Sequence, residues 1–301
     1  MFYVLTSHNI YALDRQFDTL SKEDTTVLIN TLDKDYEKAV VDYCISKKIR
    51  HFVTPSDGTA ATGKNTFLGQ FEKDGIPYAV LIDGDDYLTS YGVKTYRDLA
   101  KKENAPDAVV LINPITKVWP KHVATSELFL DPARQHLDPR GLPVQMVQGS
   151  TVDNWEELKK GELIVDNYKG TQQVDLDSFQ KYISLFHYGM GIDEIAARVT
   201  FMSRKALRIR YNKKFVVGED TFQYLELKDL HDRGELQLVM HDESRPTYMY
   251  DARISGVAVY ESQKDGGKGF VDWMLILKNA MEELKDEGRL HNTRLTEWLT
   301  A

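Results

Sequence analysis

Cysteine is almost missing from this chain: Cys44 is the one thiol in 301 residues. An intrachain disulfide and a cysteine-based zinc site are therefore excluded, and a reducing, cytoplasmic setting is expected. Long apolar runs are missing too. Nowhere do the roughly 18 consecutive apolar residues of a membrane-crossing helix occur. The opening "MFYVLTSHN" lacks the basic start and apolar stretch of a secretion signal, so a soluble, unsecreted protein is expected. Excess positive charge is the third absence: 38 Lys and Arg stand against 46 Asp and Glu, a net charge of −8. That argues against nonspecific attraction to nucleic acid or an anionic membrane as the main activity, while a local basic patch stays allowed. Repeats and low-complexity segments are absent as well.

What is present is enough apolar material, 42% of the chain, for a full core in one large α/β domain or two small ones. Short apolar runs alternate with helical patterns through the first third. "FYVLTS", "TTVLIN", "IRHFVTP", "YAVLIDG" and "DAVVLINP" read as buried strands, with "DYEKAVVDYCISKK", "NTFLGQFEKD" and "VKTYRDLAKKE" as helices between them. Cys44, inside the first of these helices, reads as a small core hydrophobe. This order implies a mostly parallel sheet with right-handed crossovers. Ligands of such sheets sit beyond the carboxyl ends of the strands. Thr6 to His8, Asn30 to Asp33, Asp57 with Gly58, and Asp83 to Asp86 should therefore gather along one rim.

From about Thr116 to Gly170 the pattern weakens into mixed Pro, Gly and charge, read as a linker or excursion. Helical spacing resumes in "VDLDSFQKYISLF". A strand follows in "ARVTFMS", a short helix capped by Ser203 in "SRKALRIRY", a helix opened by "GED" in "TFQYLELKDLHDRG", and strands in "ELQLVMH" and "PTYMYDARI". These elements read as an acceptor-side extension of the same sheet. The expected divisions are residues 1–115, 116–180, 181–265 and a C-terminal helical extension, 266–301. In that extension Phe270, Trp273, Met274, Leu277, Met281 and Leu284 share one helical side, which reads as a face packed on the core.

"GTAATGKNT", Gly58 to Thr66, differs by one letter from the phosphate-cradling loop of nucleotide triphosphatases. That loop needs Ser or Thr after its lysine, because the hydroxyl holds magnesium. Here the position is Asn65, whose neutral carbonyl oxygen is a weaker ligand for a hard cation. A phosphotransferase stays open as an alternative, as does a nucleotide-binding module without catalysis.

Two acidic clusters stand at element ends. In "LIDGDD", Asp83, Asp85 and Asp86 follow an apolar strand, and Gly84 lets the backbone turn. Such a cluster suits a hard divalent cation that takes its remaining oxygens from water and phosphate. In "FVVGEDTFQYLEL", Glu219 and Asp220 open a helix, where the positive end of the dipole favours carboxylates. A carboxylate fixed there is either a cap or a general base toward a hydroxyl.

The order "GKN", "LIDGDD" and then "GED" resembles the family 2 glycosyltransferases of the GT-A fold. "GKN" is similar to that family's Arg-Asn pair, with Lys64 in place of arginine, and "DGDD" to its Asp-x-Asp motif. "KALRIRYNKKFVVGEDTFQYLEL" resembles the stretch through its Glu-Asp pair, and "PTYMYDARISGVA" the Tyr-and-Arg strand after it. The likeness covers residues 1–115 and 195–260. It implies a metal-dependent transferase that moves a sugar from a nucleoside-diphosphate sugar, a UDP-sugar, to an acceptor hydroxyl with inversion. Mn2+ or Mg2+ is implied at Asp85, with His241 as the candidate histidine ligand. Asp220 is the implied base, and Thr6, Asn30, Asp57, Lys64, Asn65, Asp83 and Glu219 line the substrate pocket. The acceptor stays open among a glycan, a protein, a small hydroxyl compound and a hydroxymethylated base of viral DNA. The last is suggested by the basic run "SRKALRIRYNKK", which is otherwise a solvated face.

Overall fold

The computed structural model describes residues 1–8, 10–113, 116–120, 144–147, 163–168, 198–215, 219–242 and 247–251, together with 279, 286 and 287. The alternation read from the sequence appears, with α1 and β5 added to it, as β1 (Phe2–Thr6), α1 (Ile10–Gln16), β2 (Thr25–Ile29), α2 (Lys34–Lys47), β3 (Arg50–Val53), α3 (Ala60–Asp74), β4 (Tyr78–Asp83), β5 (Tyr87–Leu88), α4 (Ser90–Ala100) and β6 (Ala108–Asn113). β7 (Thr116–Pro120), β8 (Val144–Val147) and β9 (Leu163–Tyr168) follow. Then come β10 (Arg198–Ser203), a 3-10 turn at Arg204–Arg208, α5 (Glu219–Asp232), β11 (Leu238–Asp242) and β12 (Tyr248–Asp251).

A seven-stranded sheet has the order β11-β6-β10-β4-β1-β2-β3. All its neighbouring pairs are parallel except those of β10, which runs antiparallel to both β4 and β6. The mostly parallel, helix-flanked α/β sheet expected from the sequence is therefore present. Its strands alternate between two buried layers. Tyr3 packs edge-on to Phe67, with ring centroids 5.1 Å apart, in the layer that also holds Leu81 and Phe222. Phe2 and Val4 face the opposite layer with Val27, Val40 and Cys44. Burial pushes the Cys44 thiol up to about 12, which fits the inert core position expected for it.

Helix starts follow local capping chemistry. Asp33 accepts from the backbone N–H groups of Asp35 and Tyr36, Thr59 caps α3 and Thr89 caps α4. Ser203 caps the 3-10 turn, as its position in the sequence suggested.

Three features depart from the sequence reading. α3 begins at Ala60, before the expected Asn65, so most of "GTAATGKNT" is helix. The strand in "PTYMYDARI" leaves the main sheet and joins a second one, ordered β5-β12-β7-β9-β8. Strands β7 to β9 of that sheet come from the stretch read as a linker or excursion. The helix expected in "VDLDSFQKYISLF" and the apolar stripe of the C-terminal extension lie outside the described residues. Among the described residues no helix is long and apolar enough to cross a membrane.

Candidate active site

Because β10 runs against its neighbours, its first residue meets their last ones. Its register with β4 pairs Phe201 with Val80, and beyond an irregularity between Val199 and Phe201 the Arg198 guanidinium reaches Asp83, with Nη2 2.8 Å from the carboxylate. The rim thus holds the carboxyl ends of β1, β2, β3 and β4 and one incoming guanidinium.

Gly84 makes the acidic turn possible. A Cβ there would sit 2.8 Å from both Leu5 O and Thr6 Cα, so only glycine lets β4 turn against β1. Its N–H donates to Leu5 O at 2.7 Å. After this turn Asp83, Asp85 and Asp86 each offer a carboxylate oxygen, and these lie within 4.8 Å of one another.

Glu219 and Asp220 reach the same place from α5. The Lys64 ammonium, 2% exposed, donates to Glu219 Oε1 at 2.7 Å and Asp220 Oδ2 at 2.6 Å, and lies 3.8 Å from Asp83 Oδ2. The two acidic clusters, distant in sequence, thus share one cation. Arg198 joins them a second time, with Nη2 2.8 Å from Asp83, Nη1 3.4 Å from Asp86 and Nη1 3.9 Å from Asp220. Its guanidinium stands 4.7 Å over the Tyr248 ring, and the Tyr248 hydroxyl donates to Asp86 Oδ2 at 2.6 Å.

Carboxylates outnumber buried cations here, and the charges respond. Burial raises the Asp86 pKa well above its ordinary value, and repulsion from Asp85 adds to this against Arg198. Asp85 is raised by burial and by Asp83. Asp83 ends below the ordinary range because Arg198 and Lys64 outweigh its burial. Burial raises Glu219 although Lys64 opposes it, whereas for Lys64 the surrounding carboxylates overcome burial and hold the ammonium charged.

Other expected site residues have local partners. Thr6 shares a short hydrogen bond with the Tyr36 hydroxyl. Asn30 donates to Thr54 Oγ1 at 2.9 Å and Pro55 O at 2.7 Å, tying the end of β2 to the loop after β3. Asp57 accepts from Thr59 N–H, Thr59 Oγ1 and Thr62 Oγ1, which shapes the entry to α3 and lowers its pKa to about 2. Asn65 clamps the backbone of Tyr211, donating to its carbonyl at 2.7 Å and accepting from its N–H at 2.9 Å. His241 stands on β11, with β6 and β10 between it and β4. The imidazole beside Asp85 is that of His8, with Nε2 3.9 Å from its carboxylate.

Arg198, Tyr248 and His8 escaped the sequence reading as individual site residues. Only a cation at the very start of the apolar run "RVTFMS" hinted at the first. The phosphate-loop alternative loses its geometry. The backbone around Lys64 is helical, so its N–H groups are turned into the helix, and the ammonium is engaged by carboxylates. Half of the basic residues in the run after β10 have acidic partners among the described residues. Lys205 pairs with Asp107 at 3.3 Å, Arg208 with Glu235 at 2.6 Å and Arg210 with Glu72 at 2.9 Å, while Tyr211 is buried.

A hard divalent cation fits the acidic turn. The donor set is all oxygen, and Asp83 Oδ1 is buried without a hydrogen-bond partner.

No protein-family model matches the chain, and no curated protein does. Among solved structures, it is similar to S. aureus TarS 1-349 in complex with UDP, with TM-score 0.45 and 12% identity over 91% of this chain and 69% of that one. The same protein with UDP-GlcNAc gives TM-score 0.45 and 12% identity over 91% and 70%. The mannosyltransferase PcManGT from Pyrobaculum calidifontis, in complex with GDP-Man and Mn2+, gives 0.41 and 9% over 99% and 73%. At such identity and overlap these similarities carry no weight for the chemistry, which rests on the side chains described above.

Proposed function

We propose that this chain is a glycosyltransferase that moves a sugar from a nucleoside-diphosphate sugar, a UDP-sugar by the sequence resemblance, to an acceptor hydroxyl. One observation carries this reading: the carboxylate of Asp220, at the start of α5, faces the acidic turn after β4 across a single shared ammonium. The family resemblance of the two motifs implies that meeting.

The two oxygens of Asp220 have different partners. Oδ2 is fixed by Lys64, while Oδ1 is buried with no hydrogen-bond partner. The Asp220 side chain is 21% exposed, and its carboxylate is the group that would take the acceptor's proton as the acceptor oxygen attacks the anomeric carbon. Attack from the face opposite the diphosphate gives inversion. Glu219 shares the ammonium and holds it in place, so the base keeps one orientation through the reaction. Asp85 with Asp83 would hold Mn2+ or Mg2+, which supplies Lewis-acid stabilisation of the departing diphosphate. For a histidine beside that ion, His8 is nearer the acidic turn in the fold than His241.

The nucleoside end has its own surface. An open groove of about 360 Å³ beside Asn30 is lined by Thr31, Leu32, Val53 and Pro55 among others. Leu32 and Val53 are 66% and 49% exposed there, an apolar wall suited to a base. Thr6, Asn30 and Asp57 act in this scheme by shaping that end of the rim.

The test is a panel of nucleotides and sugar nucleotides, with and without Mn2+, read by thermal melting, because a ligand of the native state raises apparent stability. A sugar nucleotide is expected to raise the melting temperature most in the presence of the cation. Asp220→Asn is expected to retain that shift and lose about 10²–10⁴-fold in turnover. Triphosphate hydrolysis dependent on Lys64 would favour a phosphotransferase instead. Binding without turnover under every donor would leave a nucleotide-binding module.

A further inference from the structure

Arg198 is the one strongly buried guanidinium at the rim among the described residues, at 8% exposure, yet it uses its donors poorly. Nε has no hydrogen-bond partner, and Nη2 is close to Asp83 at 2.8 Å without hydrogen-bond alignment. Nη1 reaches Asp86 only at 3.4 Å. A planar fork that recognises a carboxylate normally does so through two parallel bonds. This one instead lies across Asp83, Asp86 and Asp220 as a charge, seated on the Tyr248 ring. Two of the carboxylates it neutralises, Asp83 and Asp86, belong to the trio whose oxygens converge within 4.8 Å.

We infer that Arg198 is a tethered counter-cation that competes with a divalent ion for the acidic turn, so that cation loading requires the guanidinium to let go of Asp83 and Asp86. This rests on the cation assigned under the proposed function and adds its control by a residue of the chain itself. The physical reason is desolvation. Buried carboxylates at this spacing repel one another and need positive charge. Lys64 supplies part of it to Asp83, and the guanidinium or the ion provides the rest, since Arg198 cannot hold the same oxygens that would close around a metal. Released from the turn, Arg198 still has Asp220, at 3.9 Å, as its nearest remaining carboxylate. The antiparallel run of β10 makes the device possible, since a parallel strand would end at this rim instead of starting there.

The 301-residue chain, stripped of metal, is titrated with Mn2+ alone while free ion is followed by electron paramagnetic resonance, for the wild type, Arg198→Met and Arg198→Lys. Arg198→Met is expected to bind at least tenfold more tightly than wild type, with Arg198→Lys between them because an ammonium cannot span both carboxylates as a fork does. Equal or weaker binding by both variants, or no binding by any, overturns the inference. If Arg198→Met does not fold without metal, recovery of a cooperative melt on adding Mn2+ supports it. If it fails to fold in Mn2+ as well, Arg198→Lys decides alone, and wild-type affinity in that variant overturns it. The sugar-nucleotide melting panel separates the two ideas. Donor binding with unchanged Mn2+ affinity in the variants removes this inference and leaves the glycosyltransferase reading. Tighter Mn2+ binding with no response to any sugar nucleotide does the reverse.

Discussion

Lys64 illustrates how one residue can hold two distant clusters. Its ammonium is almost completely enclosed and is paired to Glu219 and Asp220, with Asp83 just beyond. Removing one partner of a buried ion pair leaves the others charged in a poorly solvating place. Lys64→Met should therefore lower stability by about 3–5 kcal/mol, measured by urea unfolding. Asp57 is the opposite kind of residue: exposed, and occupied with the threonines that open α3. Its folded pKa, about 2, lies below the ordinary 3.8, so its stabilising contribution is fully present above 3.8 and is lost as pH falls toward about 2. Melting temperature followed through that window should fall more steeply for wild type than for Asp57→Asn, and equal slopes would remove this role from Asp57.

At the scale of elements, α4 and Thr247, the residue before β12, touch so closely that only glycine fits between them. A Cβ on Gly92 would stand 2.1 Å from Thr247 O. Thr247 directly precedes Tyr248, which donates to Asp86 and carries the Arg198 guanidinium on its ring. Gly92→Ala should cost about 1–3 kcal/mol through the forced backbone shift. It should also weaken binding of a sugar nucleotide, although position 92 lies outside the site. Calorimetry of unfolding and of ligand binding checks both halves, and a stable variant with unchanged binding would show that the β12 contact does not position Tyr248. Asn65 works at the same scale. Its side-chain amide forms a two-bond link from α3 to the backbone of Tyr211. It thereby fixes Tyr211 against α3.

For the whole molecule, the net charge is −8, and Lys205, Arg208 and Arg210 of the basic run are each paired with an acid. Affinity for duplex DNA should be weak at physiological salt and fall further with added salt, as a gel-shift series would measure. Tight, salt-resistant binding would reopen modified DNA as an acceptor. The alternation of apolar runs with helical patterns determined from the sequence alone that β1 to β4 and β6 form a mostly parallel sheet, because strand and helix periodicity are written in neighbouring residues. The clusters around Asp85 and Asp220 were legible too, as carboxylates grouped directly after an apolar strand and at the start of a helix. The burial of Lys64 was not, because in sequence it resembles any surface lysine and its partner Glu219 lies 155 positions away. The entry of Arg198 at the rim was decided by the antiparallel placement of β10, and a strand's direction in a sheet depends on long-range pairing that its own residues do not encode. The sequence determined which charges the molecule carries, and tertiary packing decided which of them are buried together.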